Sequence, residues 1–529
     1  MIPGSVVQAV LLSVLSGSLL VLTFPSFDLH ILAWVALVPL LLAIEDKRPA
    51  PAYVYSLVAG IVFFPGTWYA VYAVPGFKIV DGALISLYLA QYVAVWGLAV
   101  NCIRGRTQLP LTLVAAPLWV AVEYLRCHIG FLSLPWAQLG DSQYESLALL
   151  QMASLTGVYG LSFLIVFVNA AMTEAILQGR RASMWLGIPR ASLIAASLLI
   201  AIFVHGVVVL ARRPTPETTR IAVVQGNIPQ ERKWDAAFRQ ATLEKYGTLT
   251  REAAAHRPTL IVWPETAVPG DVRHDARLRR AVSAIASEAG TYLLVGSSEY
   301  AKFTRQELRG KHYNSMVLFG PDGQTRGEYR KMVLVPWAEY PPLQDWFDWP
   351  RALVSKIGGF VGGEDYTVFA VGPAKVGVTI CWENIFPDLF REFAERGVNL
   401  MINATNEAWF GETAASRQFL TMSAMRAAEH RIAIARATNT GISVFIDDRG
   451  KITQRLTGAG GKDMFVDGVL LDDVPLTTMR TFYTRYGDVF AGSQVALAVL
   501  LLIAAGLPAR ARVRFVRRSP KLTTLRPAT

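Results

Sequence analysis

Three short segments place an acid, an amine and a thiol beside apolar, β-prone runs. Glu265 stands in Trp263-Pro264-Glu265-Thr266. Lys331 stands in Tyr329-Arg330-Lys331-Met332-Val333-Leu334-Val335-Pro336, and Cys381 in Val378-Thr379-Ile380-Cys381-Trp382-Glu383. Singly, each has a plain structural reading. A carboxylate after a strand caps a turn, a lysine is a surface charge, and a thiol at a strand end is a small buried hydrophobe. Together they supply a base, a stabilising cation and a nucleophile without any histidine. A thiol becomes nucleophilic when a base takes its proton or a cation lowers its pKa.

The elements that must position them alternate. Strands are expected at 221–224, 260–263, 292–296, 315–319, 376–380, 400–403 and 442–446, and helices at 235–256, 276–289, 387–396 and 417–435. Asp322-Gly323 and Arg449-Gly450 read as hairpin turns. The alternation indicates a layered α/β domain, and open α/β sheets place their sites at strand ends. The sequence contains no GxGxxG, P-loop, HExxH or GxSxG motif and no Cys/His cluster at metal spacing, so neither a metal nor an organic cofactor is expected.

The rest of the chain belongs to a different solvent. Of 529 residues 53% are hydrophobic, and the apolar runs concentrate in the first 211 residues and around 490–508. A spanning helix needs roughly 20 mostly apolar residues. Eight spans are expected, near 6–24, 30–44, 53–74, 82–103, 110–125, 154–177, 191–211 and 490–508, the second and fifth being short. The division is 1–211 for spans one to seven, 212–483 for an external domain, and 484–529 for the last span and a basic tail.

Loop charge sets the orientation. Lys47, Arg48, Arg104, Arg106, Arg180, Arg181 and Arg190 fall in alternate connections, and Arg510, Arg512, Arg514, Arg517, Arg518, Lys521 and Arg526 in the tail. Both termini should therefore be cytoplasmic and the polar domain external. This anchoring accounts for the net charge of +11 without nucleic acid, for which no aromatic-interleaved basic patch exists. Cys102 and Cys127 fall near opposite ends of their spans and should not pair; both read as packing residues.

The ordered acid, amine and thiol resemble the nitrilase superfamily. Over nearly its full length the chain resembles that superfamily's membrane-embedded branch, the apolipoprotein N-acyltransferases. The segments that carry the resemblance begin with Val223-Val224-Gln225-Gly226-Asn227-Ile228-Pro229-Gln230, Trp234 and Trp263-Pro264-Glu265-Thr266. They continue with Lys331, Leu334-Val335-Pro336-Trp337-Ala338-Glu339-Tyr340, Cys381-Trp382-Glu383, Asn406-Glu407-Ala408-Trp409-Phe410-Gly411 and Arg436-Ala437-Thr438-Asn439-Thr440-Gly441. In the apolar part Glu123-Tyr124-Leu125-Arg126, Leu134-Pro135-Trp136 and Gly140-Asp141-Ser142-Gln143 match as well.

The resemblance implies an αββα sandwich tied to the spans in a bacterial inner membrane. It implies that Glu265 is the base, Cys381 the nucleophile and Lys331 the oxyanion partner. Glu339, Glu383 and Trp382 would support them, with Trp234 and Trp337 near the substrate and Asn406 and Arg436 holding loops. The donor would be a membrane phospholipid and the acceptor the N-terminal amine of a diacylated apolipoprotein; a monomer is expected. A membrane-tethered amidase with water as acceptor, a divergent acyltransferase paralogue and a non-catalytic scaffold are the alternatives.

This chain departs from the family pattern at several points. Trp382 replaces the usual Tyr, Trp337-Ala338-Glu339 replaces Phe-Gly-Glu, and Glu407 stands for an Asp. The downstream Pro and Gln-His positions read Ser416, Gln418 and Phe419. The stretch 341–361, with Trp346, Phe347, Trp349 and Phe360, is too apolar for an ordinary loop and reads as a lid over the site.

Overall fold

In a computed structural model, residues 5–181, 190–212, 217–233, 235–301, 310–344, 346–350 and 358–507 are described. Trp234, Arg213, part of the 341–361 stretch and the basic tail lie outside the described residues.

The apolar helices longer than five residues are α1 (Val6–Leu22), α2 (Val38–Ile44), α3 (Pro49–Trp68), α4 (Ile79–Thr107), α5 (Leu111–His128), α6 (Val158–Arg181) and α7 (Arg190–Ala211), with α12 (Val489–Gly506) near the far end. Among the described residues five helices are long and apolar enough to cross a membrane: Pro49–Ala73, Ile79–Thr107, Val158–Gly179, Arg190–Ala211 and Val489–Gly506. The other three expected spans take shorter or more polar forms. The first is a helix of 17 residues, and the second a 3-10 turn (His30–Trp34) followed by the seven residues of α2. The fifth, α5, has 18 residues and buries Glu123 and Arg126. Within it, Arg126 donates to the carbonyls of Leu134 and Trp136, and Glu123 accepts from Leu139 N at 2.8 Å, so the charged pair organises the turn that follows.

The domain between α7 and α12 is built on two six-stranded sheets. The first contains β1 (Thr218–Gln225), β2 (Leu260–Val262), β3 (Tyr292–Tyr300), β4 (His312–Phe319) and β5 (Thr325–Arg330), ordered β12-β1-β2-β3-β4-β5. The second contains β6 (Phe369–Val371), β7 (Ala374–Ile380), β8 (Leu400–Thr405), β9 (Ala433–Thr438), β10 (Val444–Ile446) and β11 (Ile452–Arg455), ordered β11 to β6. β12 (Gly468–Pro475) closes the first sheet against β1. Each sheet has a parallel centre, β1-β2-β3 and β7-β8-β9, flanked by antiparallel strands.

The period of two along a strand sorts the side chains. Ile221, Val223, Leu260, Val262 and Leu294 share one core with Val376, Val378, Ile380, Leu400 and Ile402 of the second sheet. Their neighbours Ala222, Val224, Ile261, Trp263, Leu293 and Val295 turn the other way, onto α8 (Arg239–Ala254) and α9 (Ala276–Ala289). Helices α10 (Pro387–Glu395) and α11 (Ala415–His430) belong to the second half, with Phe390, Phe393, Leu420 and Ala424 in the core the two sheets share.

The helix expected at 417–435 ends early. Arg431 takes a left-handed φ of 56°, and residues 433–438 form β9, between β8 and β10. Alanine-rich Ile432-Ala433-Ile434-Ala435 suits either state by propensity, but only the strand completes the sheet's backbone pairing. Both expected hairpins form, with Asp322-Gly323 joining β4 to β5 and Arg449-Gly450 joining β10 to β11.

Candidate active site

The C-terminal ends of the parallel strands converge on one place. Glu265 follows β2, Cys381 follows β7, Asn406 follows β8 and Asn439 follows β9, while Lys331 follows the antiparallel β5. Gln225, ending β1, ties the two sheets there by accepting hydrogen bonds from Thr438 Oγ1 and Ser443 Oγ.

Cys381 opens a 3-10 turn (Cys381–Ile385) with φ 57°, a conformation that costs a non-glycine residue about 1–3 kcal/mol and that clusters at functional sites. Asn227, Thr266 and Trp337 share this left-handed geometry. The turn is held from behind. Asn403 Nδ2 donates to the Cys381 carbonyl at 3.3 Å, and Arg436, fully buried, donates to Asn403 Oδ1 at 2.7 Å and pairs with Glu407. Arg436 thereby braces the Cys381 turn through Asn403.

Glu265 is buried and fixed at both carboxylate oxygens. Asn314 Nδ2 donates to Oε1 and Asn406 N to Oε2, each at 2.7 Å. Gly296 on β3 lets the acid loop come this close, since a Cβ there would lie 2.3 Å from Pro264 O and Thr266 N. Lys331 is 1% exposed, and its Nζ donates to Glu339 Oε1 at 2.8 Å while Glu339 Oε2 accepts from Val335 N at 2.7 Å. Burial works against the ammonium, but Glu339, Cys381 and Glu265 outweigh it and hold Lys331 above its ordinary range.

Burial, with the Glu265 carboxylate beside it, pushes the Cys381 thiol up to about 12 against the pull of Lys331. Burial and the neighbouring acid thus favour the thiol over the thiolate at this position. Glu265 and Lys331 are near enough to move that titration in opposite directions, as a base and an electrostatic partner should.

Glu383 is fully buried and accepts from Ile380 N, Met332 N, Val333 N and Tyr329 Oη, at 2.6 to 3.0 Å. One carboxyl thus staples the lysine loop to the nucleophile turn. Burial pushes it up to about 7, opposed by the N–H groups that favour its charged form. Trp382 is buried against Phe386 and donates its indole N–H to Val333 O at 2.7 Å, so the departure from Tyr keeps a donor at this position. Trp337 is 45% exposed and meets Trp349 edge to face at 4.7 Å.

Three contributors were missed in the sequence. Asn314 and Asn403 are polar residues in the middle of buried strands β4 and β8, a signal that periodicity alone could have raised. Lys233 gave none, being one charge among Glu231, Arg232 and Lys233. In the fold its side chain is buried and its Nζ donates to the Glu265 carbonyl at 2.9 Å.

The sequence has matches among known proteins. The carbon-nitrogen hydrolase family profile matches residues 220–482, and the profile of the apolipoprotein N-acyltransferase N-terminal domain matches residues 16–171. The apolipoprotein N-acyltransferase of Geobacter metallireducens is 38% identical over 506 residues, covering 93% of this chain and 94% of the relative. That of Gloeobacter violaceus is 32% identical over 536 residues, covering 96% of each. Among solved structures, an amidase from Nesterenkonia sp. AN1 is 19% identical with a TM-score of 0.39, over 52% of this chain and 98% of the amidase. With relatives matched from end to end, the chain belongs to the apolipoprotein N-acyltransferase family.

Proposed function

We propose that this membrane acyltransferase moves an acyl chain from a phospholipid to the N-terminal amine of a diacylglyceryl-cysteine on an apolipoprotein, through a thioester on Cys381. The observation that carries the reading is a strained thiol flanked by a fixed carboxylate and a buried ammonium, in a domain bonded directly to apolar helices. Glu265 takes the Sγ proton as the thiolate attacks the ester carbonyl. Lys331 Nζ stabilises the oxyanion. Collapse expels the lysophospholipid oxygen, which takes the proton back from Glu265. The acceptor's neutral amine then attacks the thioester, Glu265 receives the amine proton, and the departing thiolate is reprotonated. The thioester keeps the acyl group activated, so no nucleotide is consumed.

The architecture that fits this task is an αββα sandwich, 212–483, held on the outer face of a bacterial inner membrane. Eight spans, with the shorter segments α1, α2 and α5 crossing beside the five long helices, would put both termini on one side, and the loop charges favour the cytoplasm for it. The working unit we propose is a monomer. Trp337 lines the approach for substrate, and the aromatic stretch after Glu339 acts as its lid. Labelled phospholipid and a diacylated lipopeptide, incubated with wild type, Cys381→Ser and Cys381→Ala, test the reading. N-acyl peptide from wild type alone, with label trapped on Cys381, supports it. Free fatty acid with no N-acyl peptide would move the chain to a hydrolase using water.

A further inference from the structure

Lys233 has no role in the mechanism above, yet it is the second buried ammonium at the site. It ends a short helix (Gln230–Lys233) in the segment after β1. Asparagines pin that segment. Asn439 Nδ2 and Oδ1 bond Ile228 O and N, Asn439 O accepts from Asn227 N, and Asn406 Nδ2 donates to Gln230 Oε1. Asn406 N also holds the Glu265 carboxylate, and Lys233 Nζ holds the Glu265 carbonyl. The contacts form a closed ring from Asn439 and Asn406 through 227–233 to Glu265. Lys233 is the one charged member contributed by that segment, since Glu231 and Arg232 on the same turn are exposed.

An ammonium 3% exposed that makes one hydrogen bond, to a neutral carbonyl among the described residues, is a poor structural device. An apolar side chain of equal length would fill the space without the desolvation cost. The titratable groups that face it are Glu265 and Cys381, both of which favour its charge. We propose that Lys233 is a positioning residue that anchors Glu265 from behind and supplies the second positive charge against which the Cys381 thiolate forms. This rests on the assignment of Glu265 and Cys381 as base and nucleophile. Burial pulls Lys233 down to about 8, with Glu265 and Cys381 opposing, so its charge is present below that pH and lost above it. Its help to the thiolate should follow the same course.

The test is the rate at which iodoacetamide alkylates Cys381 in the full-length detergent-solubilised protein, from pH 6 to pH 10, in wild type, Lys233→Met and Lys233→Arg. One unit of thiol pKa is a tenfold change in thiolate. Wild type should exceed Lys233→Met on the order of tenfold near pH 6.5, with the ratio falling toward one above pH 9. Lys233→Arg, charged throughout, should keep the fast rate to the top of the range. A purely structural lesion gives a ratio that does not change with pH, and that result, or equal rates everywhere, overturns the proposal. Should Lys233→Met fail to fold, the Lys233→Arg profile decides alone: its rate should pull ahead of wild type above pH 8, and a ratio to wild type that stays constant there overturns the proposal. Cys381→Ala separates the two layers. If it still transfers acyl groups, the thioester reading has failed; if it is inactive while the Lys233 ratio is flat, only the present inference has.

Discussion

Helix α11 and the segment around Trp346 both continue from active-site loops, yet they meet their surroundings in opposite ways. Every residue of α11 except Arg417 is buried, although its sequence is no more apolar than a surface helix. Its polar side chains bond the membrane part. Gln418 Nε2 donates to Pro25 O and Thr67 O, and its Oε1 accepts from Trp136 Nε1. Glu429 accepts from Val158 N, at the start of α6, while Arg449 on the β10–β11 hairpin donates to Leu210 O at the end of α7. An acid at a helix N-terminus and a base at a C-terminus each match the macrodipole they meet.

The other segment has none of this. Leu343, Trp346 and Phe347 are exposed, Trp346 at 90%, and among the described residues the Trp349 indole donates its hydrogen bond within the segment, to Pro342 O. Buried, satisfied polar bonds fix a geometry; exposed aromatics beside a site await an apolar partner. The joint sets the position of Cys381 relative to the apolar helices, whereas the aromatic segment is left open to solvent.

The largest effect expected from breaking this contrast is at Arg426. It lies 1% exposed with Nη2 3.0 Å from Glu429 Oε1, and Arg426→Leu leaves Glu429 buried with its ion-pair partner gone. Such a change costs about 3–5 kcal/mol, read as a lowered unfolding midpoint in detergent and loss of transfer together. Gln418→Leu comes next. It strands two carbonyls and an indole N–H, so unfolding stability should fall by about 1–3 kcal/mol. Alkylation of Cys381 should persist in the protein that remains folded, because Gln418 touches no catalytic group. A stability equal to wild type would mean that the joint is not what holds the two parts together.

The joint was the least legible part of the sequence, and the reason is physical. Helix α9 could be read to the residue because Asp275 caps its first turn and Gly290 ends it in a left-handed turn. The strand β7 could be read from its β-branched run, and the acid, amine and thiol from the strands that deliver them. Interface helix α11 has neither a capping side chain nor a clear apolar face, and its partners lie hundreds of residues away, as Gln418 and Pro25 do. Gln418 keeps the family's Gln and Phe419 departs from its His, and neither position signalled a contact in the sequence. In the fold Gln418 is the bond between three membrane segments, and Phe419 packs on Trp136 at 4.7 Å. Lys233 and the clamp role of Glu383 were hidden for the same reason: both act on backbone atoms of another loop, which leave no mark in the sequence.

The smallest effect on stability, and the sharpest on substrate, should come from Trp346→Ser. A side chain 90% exposed makes few contacts to lose, so the unfolding midpoint should stay within about 0.5 kcal/mol of wild type. If the aromatic segment meets acyl chains, transfer from phospholipid in vesicles falls severalfold. Acylation by a short-chain, water-soluble ester, which needs no help leaving a bilayer, stays unchanged. A matched loss with both donors would instead place Trp346 in support of Glu339, four residues before Leu343, whose carbonyl accepts from Trp346 N at 3.0 Å. An unchanged rate with both would remove the lid from the mechanism and leave the fixed joint as the chain's one device for meeting the membrane.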